Sequence, residues 1–339
     1  MRLQEGAFKI VASCAGVKSG ENVLVITDCR RPESVATELA RAAEQLGAQA
    51  TILRIPPTLR NGEPDRAVAA AICAADVVLA ATTRTLGHSA AVREGLRRGA
   101  RVIALTECCE ETLMTGAIEA DFSALSPAVD YVRQRFDAAC QVHVTAPGGT
   151  DLRLDISQRY ASVCSGVCHE PGTMIGVPDV EVYVAPIEDS TQGTLVVDAT
   201  CSTIGRLARS ITLRIEKGVA KSVEGGDEAE KLAALLQSAS EASCLRIAEF
   251  ALGLNPMATL TGNIIVDEGA YGTGHFALGK NTSFGGANDA PLHIDLVYLK
   301  PTVCLDGELL MQDGTLTAHG HLFPDLSQFR GLLEEQVHL

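Results

Sequence analysis

The chain has 339 residues, with 28 Lys plus Arg against 42 Asp plus Glu and a formal net charge of −14. That length suits two domains with a core that needs no covalent staples, and no Lys/Arg cluster is dense enough to displace counterions from a nucleic-acid backbone. The longest apolar run, Ala67 to Ala75, falls far below the ~18–20 residues that span a bilayer, and Met1-Arg-Leu-Gln-Glu shows no signal-peptide core; a soluble, cytoplasmic-type protein is expected.

Residues 3–17 have the pattern of an amphipathic helix. Val23-Leu-Val-Ile-Thr27 is a short β-branched run that ends at Asp28. Pro32 to Leu46 then carries Val35, Ala36, Leu39, Ala42, Ala43 and Leu46 at helical spacing, and Gly47 stops it. Ala50-Thr-Ile-Leu-Arg54 is the next strand, followed by a helix over about 64–74, a strand at Val77-Val-Leu-Ala80, a helix over about 88–98 and a strand at Val102-Ile-Ala-Leu105. Strands alternating with helices predict parallel βαβ units in a doubly wound sheet. The turn after the first strand, Thr27-Asp-Cys-Arg-Arg-Pro32, lacks G-x-G-x-x-G, so a dinucleotide cofactor gets no support. A further helix is expected over 124–138.

From about residue 140 the texture changes. Val142-His-Val-Thr145 and Leu152-Arg-Leu-Asp-Ile156 alternate apolar and polar residues, as half-buried antiparallel strands do. Further strands are expected at Val180–Ala185, Thr194–Asp198, Ile211–Glu216, His293–Leu299 and Thr302–Leu305, with one long helix from Asp227, an N-cap residue type, to Ser240. The predicted organisation is therefore an α/β doubly wound domain over 1–140, followed by an α+β metal-binding domain with antiparallel strands over 141–339.

The eleven cysteines form no CxxC pair and are spread along the chain, which fits reduced, buried small hydrophobes. Cys164-x3-Cys168-His169 is the one arrangement with metal or redox potential. Absence of Trp weighs against nucleobase stacking. His319-Gly-His321 reads as an exposed pair, and Asp267-Glu268 as solvated acids near a turn.

The chemistry-bearing pattern lies in four short segments. In Pro291-Leu-His293-Ile-Asp295-Leu-Val297, a His-x-Asp pair within a strand directs both side chains to one face, ~6.5–7 Å apart along the chain. Gly272-Thr-Gly274-His275-Phe-Ala-Leu-Gly279 presents a histidine between glycines, as a ligand-bearing loop does. Ile247-Ala-Glu249-Phe-Ala-Leu-Gly253 and Val180-Glu181-Val-Tyr-Val-Ala185 each embed one acid in an apolar run, where it needs a cation or a salt bridge. Two histidines and three acids form an O/N donor set for Zn, Mn, Co or Fe(II). Five ligands exceed the three of a mononuclear zinc site and suggest two metals with a bridging carboxylate.

These segments resemble the metallo-aminopeptidases of the aminopeptidase T / aminopeptidase S type, through Glu181-Val-Tyr-Val-Ala-Pro186, Glu249-Phe-Ala-Leu-Gly253, His275-Phe-Ala-Leu-Gly279 and the His293-x-Asp295 pair. Gly149-Thr-Asp-Leu152 is similar to the start of that family's catalytic domain. The resemblance implies two divalent ions (Zn, Co or Mn) held by Glu181, Glu249, His275, His293 and Asp295. It further implies a homodimer and hydrolysis of an amide or short peptide, with Glu181 or Glu249 shuttling the proton. The peptidases carry a catalytic Tyr seven residues after the first metal His, where this chain has Thr282; Thr282, Asn281 and Lys280 are the candidates to stabilise an oxyanion in its place. Tyr271 and Phe284 flank the ligand segment as candidate pocket residues.

Glu188-Asp-Ser-Thr-Gln-Gly-Thr-Leu-Val196, Ile215-Glu-Lys-Gly218 and Gly285-Gly286 resemble a related branch, the iron-dependent 2,5-dihydroxypyridine 5,6-dioxygenases. That branch places a His at the position matching Glu249. The background therefore resembles the dioxygenases and the ligand set the peptidases. A metal-dependent amide hydrolase of a small molecule or short peptide is the leading expectation, and an Fe(II) ring-cleaving dioxygenase the alternative. A non-enzymatic binding protein is disfavoured because all five ligand types are present.

Overall fold

The computed structural model describes residues 1–57, 63–87 and 89–323, and the chain divides into two compact units. The first comprises Met1–Ala124 with Cys164–Asp179, the second Leu125–Val163 with Val180–Leu339.

The first unit is built on a five-stranded parallel sheet, in the order Gln49–Ile55, Asn22–Asp28, Val77–Ala81, Arg101–Ala104, Met174–Gly176. Parallel neighbours require crossovers, and helices Glu33–Gln45, Arg66–Ala74 and Ala90–Arg97 supply them. Their starts are set locally: Asp65 accepts from the Ala67 and Val68 amides, and Ser89 from that of Val92. Leu24, Ile26, Val78 and Val102 pack with Ile72 and Val92 in one core. The helix expected over 3–17 is shorter, an α-helix Leu3–Lys9 running into a π-helical turn Ile10–Cys14.

The second unit holds two sheets. One has eight strands, in the order Val219–Glu224, Ile211–Glu216, Gln192–Val197, Asp151–Asp155, Gln141–Thr145, Thr302–Leu305, Glu308–Gln312, Thr315–Leu316. The other has seven, in the order Gly205–Arg206, Thr200–Cys201, His293–Leu299, Thr273–Gly279, Ile247–Gly253, Glu181–Val184, Ser162–Cys164. At its centre Phe250, Phe276 and Tyr298 project from adjacent antiparallel strands and stack, with ring centroids 5.2 and 5.8 Å apart. Phe136 adds a fourth ring 5.4 Å from Phe250.

Phe136 explains where the division falls. Helix Ser126–Ala138 buries Val129, Val132 and Phe136, and Phe136 belongs to the aromatic core of the second unit. The boundary therefore precedes this helix, at 124/125, rather than following it at 140. The segment Cys164–Asp179 returns to the first unit because Met174–Gly176 is its fifth strand. The long helix spans Asp227–Ala239 with Gly226, not Asp227, at its N-cap.

The three side chains of the Cys164–Cys168–His169 motif bond to separate partners. Cys164 Sγ accepts from the Gly176 amide at 3.4 Å, Cys168 Sγ lies 3.2 Å from Thr173 Oγ1, and His169 Nε2 lies 2.8 Å from the Ser13 carbonyl. All eleven cysteines are free thiols. Among the described residues no helix is long and apolar enough to cross a membrane.

Candidate metal centre

The seven-stranded sheet gathers the predicted ligands through its register. Ala277 pairs with Glu249 on one side and Asp295 on the other, so the three side chains share a face. His275 and Gly279 lie on that same face, two residues either way, and Gly279 pairs with His293. Gly253, two pairs beyond Ala251, faces Glu181. All five expected ligands thus stand on one side of four adjacent strands, and Phe250, Phe276 and Tyr298 on the other. Between the ligands the face carries only small residues, Ala251, Gly253, Ala277 and Gly279.

Strand Thr273–Gly279 corrects one expectation. His275 is not presented on a glycine-flanked loop but sits in mid-strand, 1% exposed, at the centre of the sheet. The glycines instead permit close packing; a Cβ on Gly279 would lie 2.2 Å from the Leu292 carbonyl oxygen.

His275 Nε2 lies 3.5 Å from Glu181 Oε2 and 3.6 Å from Glu249 Oε1. The other oxygen of Glu249 is 3.3 Å from His293 Nε2, which is 3.0 Å from Asp295 Oδ1. Glu249 therefore spans the two imidazoles. Glu181, Glu249 and His275 form one group able to hold a cation, and Glu249, His293 and Asp295 another, each with its ligand atoms within 4.8 Å of one another. The backbone supports this arrangement. His293 Nδ1–H donates to the Lys280 carbonyl at 2.7 Å, which directs Nε2 into the site as a lone-pair donor. Ser202 exchanges bonds with Asp295, its Oγ accepting the Asp295 amide and its own amide donating to the Asp295 carbonyl, each at 3.0 Å. A register shift between Ile247 and Glu249 marks a bulge beside the shared acid, and Asn281 Nδ2 donates to the Ala248 carbonyl there.

Electrostatics identify the site as one that demands positive charge. Burial opposes a charge on His275, yet Glu181, Glu249 and Asp295 outweigh it and raise the ring to about 9. Burial opposes a charge on His293 too, but Asp295 and Glu249 hold it well above the ordinary imidazole range. Burial would raise Glu249, but hydrogen bonds and charge from both histidines keep it below the usual carboxylate value. His275 Nδ1 is buried without a hydrogen-bond partner among the described residues, so this ring interacts through Nε2. Buried carboxylates and imidazoles converging from rigid strands suit a divalent cation of the hard-to-borderline class.

Two expectations about acids and aromatics change. Asp267 is fully buried and Glu268 half-buried, not solvated; Glu268, His275 and Asp295 form a third group with ligand atoms within 4.8 Å. No sequence pattern set Glu268 apart, because Asp267-Glu268 resembles any pair of acids at a surface turn. Tyr271 is not at the site but packs against His319 and Phe323, with its hydroxyl 2.8 Å from His319 Nδ1.

Phe284 does face the site, edge-on to His293 at 6.0 Å and to Tyr183 at 5.3 Å. Its loop is built to hold it. Asn281 Oδ1 accepts the Asn288 amide, Asn288 Nδ2 donates to the Gly279 and Ser243 carbonyls, and the Asn281 side chain fills the space a Cβ on Gly286 would take. Arg159 binds the Gly285 carbonyl and pairs with both oxygens of Glu188, which also accepts the Ala287 amide. Asn281 is thus structural, Lys280 offers its carbonyl to His293 and pairs its Nζ with Asp289, and Thr282 is exposed.

A family model described as 2,5-dihydroxypyridine 5,6-dioxygenase matches residues 5–318. A 2,5-dihydroxypyridine 5,6-dioxygenase of Pseudomonas putida KT2440 is 26% identical over 338 residues, spanning 92% of this chain and 95% of that protein. The solved structure of 2,5-dihydroxypyridine dioxygenase from Pseudomonas putida KT2440 superposes with a TM-score of 0.79 at 23% identity, over 93% of this chain and 97% of that one. Wild-type AmpT from Thermus thermophilus superposes with a TM-score of 0.69 at 17% identity, over 93% and 98%. The leading expectation of an amide hydrolase is therefore overturned, and with it the description as an aminopeptidase or metalloprotease. The family match is to a dioxygenase, and the likeness to AmpT is one of fold alone.

Proposed function

Because the chain belongs to the 2,5-dihydroxypyridine 5,6-dioxygenase family, we propose that it is an Fe(II)-dependent ring-cleaving dioxygenase of a hydroxylated N-heteroaromatic. The observation that carries this reading is the family match over residues 5–318, with His293, Asp295 and Glu249 grouped inside it. His293 Nε2 and carboxylate oxygens of Asp295 and Glu249 would hold the iron. Ferrous iron, when bound, supplies the redox centre at which dioxygen and an electron-rich ring are brought together.

The protein's own part is to orient and to enclose. The Lys280 carbonyl fixes the His293 ring, and Ser202 fixes the backbone of Asp295. Phe284 and Tyr183 present half-buried aromatic surface beside His293, suited to a planar heterocycle by edge or face contact. Glu249 replaces the histidine of the dioxygenase pattern, so the iron site would have one imidazole and two carboxylates.

The test is oxygen consumption by the Fe(II)-loaded protein with 2,5-dihydroxypyridine. Uptake of one O2 per ring opened supports the reading. Turnover that persists without oxygen, or with Zn(II) in place of iron, rules it out.

A further inference from the structure

The five-stranded parallel sheet ends on one side at strand Gln49–Ile55, which pairs with Asn22–Asp28 through seven unbroken residue pairs. Among the described residues no strand pairs with its outer side. Gln49 N–H donates to the Glu21 carbonyl at 2.8 Å, so the backbone of Gln49 points inward. Backbone direction alternates along a strand, and the N–H and C=O groups of Ala50, Ile52 and Arg54 therefore point outward. The side chains of these three residues share one face of the sheet. Ile52, the middle one, is 45% exposed.

Long sheet edges usually carry devices that block pairing with another chain, and the other edges of this protein have them. Val219–Glu224, outermost in the eight-stranded sheet, exposes Lys221 and Glu224 and pairs with its neighbour through a register shift at Arg214/Ile215. The remaining outermost strands, Thr315–Leu316, Gly205–Arg206, Ser162–Cys164 and Met174–Gly176, are only two or three residues long. Gln49–Ile55 has seven residues, no Pro, no Lys and no register shift. Its one charge, Arg54, is paired with Glu33 Oε2 at 3.1 Å.

The occupant these features fit is a second copy of the same strand. An antiparallel pair centred on Ile52 sets Ile52 opposite Ile52, and Ala50 opposite Arg54 of the second copy. All three are hydrogen-bonded pairs, so every outward donor and acceptor of residues 50, 52 and 54 is used in both strands. Centring on Thr51 or Leu53 would pair only two of the three outward residues within the strands. At Ile52 the two exposed isoleucines cover each other, and no like charges stand opposite. Helix Glu33–Gln45 packs on both Asn22–Asp28 and Gln49–Ile55. Across the joined edge its two copies lie about two strand spacings apart, ~9.6 Å, within the ~8–10 Å of packed helices. The contact thus extends beyond the strands themselves. We propose that strand Gln49–Ile55 is a homodimer interface, joining two five-stranded sheets edge to edge about a two-fold axis at Ile52.

Light scattering on the full-length chain across a dilution series should return a dimer for wild type. Ile52→Lys sets like charges opposite each other at the axis and should raise the dimer Kd at least about tenfold. Circular dichroism should show this variant folded as wild type, since the side chain it replaces is largely outside the core. Ile52→Cys places two thiols across a hydrogen-bonded pair, ~5.5 Å between Cα atoms and within disulfide range. Thr51→Cys stands opposite Leu53 of the second copy, and beyond the ~7 Å limit from its own counterpart. Mild oxidation should link Ile52→Cys chains above the wild-type level and leave Thr51→Cys at that level. A monomeric wild type, a dimer untouched by Ile52→Lys, or equal linkage at positions 51 and 52 would overturn the proposal.

Discussion

Phe284 meets His293 edge-on, with ring planes 89° apart and centroids 6.0 Å apart, and the same ring is edge-on to Tyr183. The histidine proposed to hold the iron is thus in direct contact with the aromatic side chain proposed to border the substrate ring. Orientation of the ring and orientation of the metal ligand are coupled through one contact.

Phe284→Ala should raise KM for a dihydroxypyridine several-fold while changing kcat less. An aromatic pair contributes about 0.5–1.5 kcal/mol beyond its buried area, which corresponds to about a two- to tenfold change. Phe284→Tyr should behave nearly as wild type. Steady-state kinetics on the iron-loaded variants measure both, and an unchanged KM in Phe284→Ala would remove this residue from the substrate site.

Arg159→Ala should act on the same parameter from a distance. It removes the bonds to Gly285 and Glu188 that hold the loop carrying Phe284. KM should rise in parallel with Phe284→Ala, and the double variant should lose less than the sum of the two. Limited proteolysis should show new cleavage within 282–287.

Glu249→Gln should be the most damaging single change at the site. Glu249 lies between both histidines and is proposed to hold the iron, so its loss should lower metal affinity by at least about 10–100-fold, and ring-opening activity should fall with it. Metal analysis after desalting separates this from a purely catalytic effect: full metal retention with lost activity would contradict the shared-ligand role.

The pH dependence should change sign with metal content. In the chelated protein His275 titrates near 9 rather than at the ordinary 6.5. The stabilisation from its charged form is fully present below 6.5 and disappears as pH rises through about 9. Metal binding requires the neutral ring, so affinity should instead increase with pH over that window, with proton release. Thermal melts with and without Mn(II), and calorimetry in buffers of different ionisation enthalpy, test the two slopes.

How much of this was legible in the sequence depended on the type of burial. Four of the five parallel-sheet strands were readable as short apolar runs between helical repeats, and strand His293–Leu299 by its alternation; Met174–Gly176, three residues long and encoded far from its neighbours, was not. Strands Ile247–Gly253 and Thr273–Gly279 were not, because both are buried on both faces and are rich in Ala, Leu and Gly, which lack β-propensity. Their ligands were visible only as acids or imidazoles in apolar surroundings. The hydrolytic expectation failed because one fold hosts more than one chemistry, and a donor set able to hold a divalent cation does not by itself fix the reaction.

The fifth strand of the first sheet, Met174–Gly176, is encoded after a stretch that belongs to the other unit. A nascent chain leaving the ribosome therefore cannot complete its N-terminal sheet when its first 140 residues have emerged. Until residue 176 follows, strand Arg101–Ala104 lacks a neighbour on one side, with backbone donors and acceptors open to other chains. The two units are consequently bound to one synthesis schedule, and a 1–140 fragment should aggregate where the full-length chain folds.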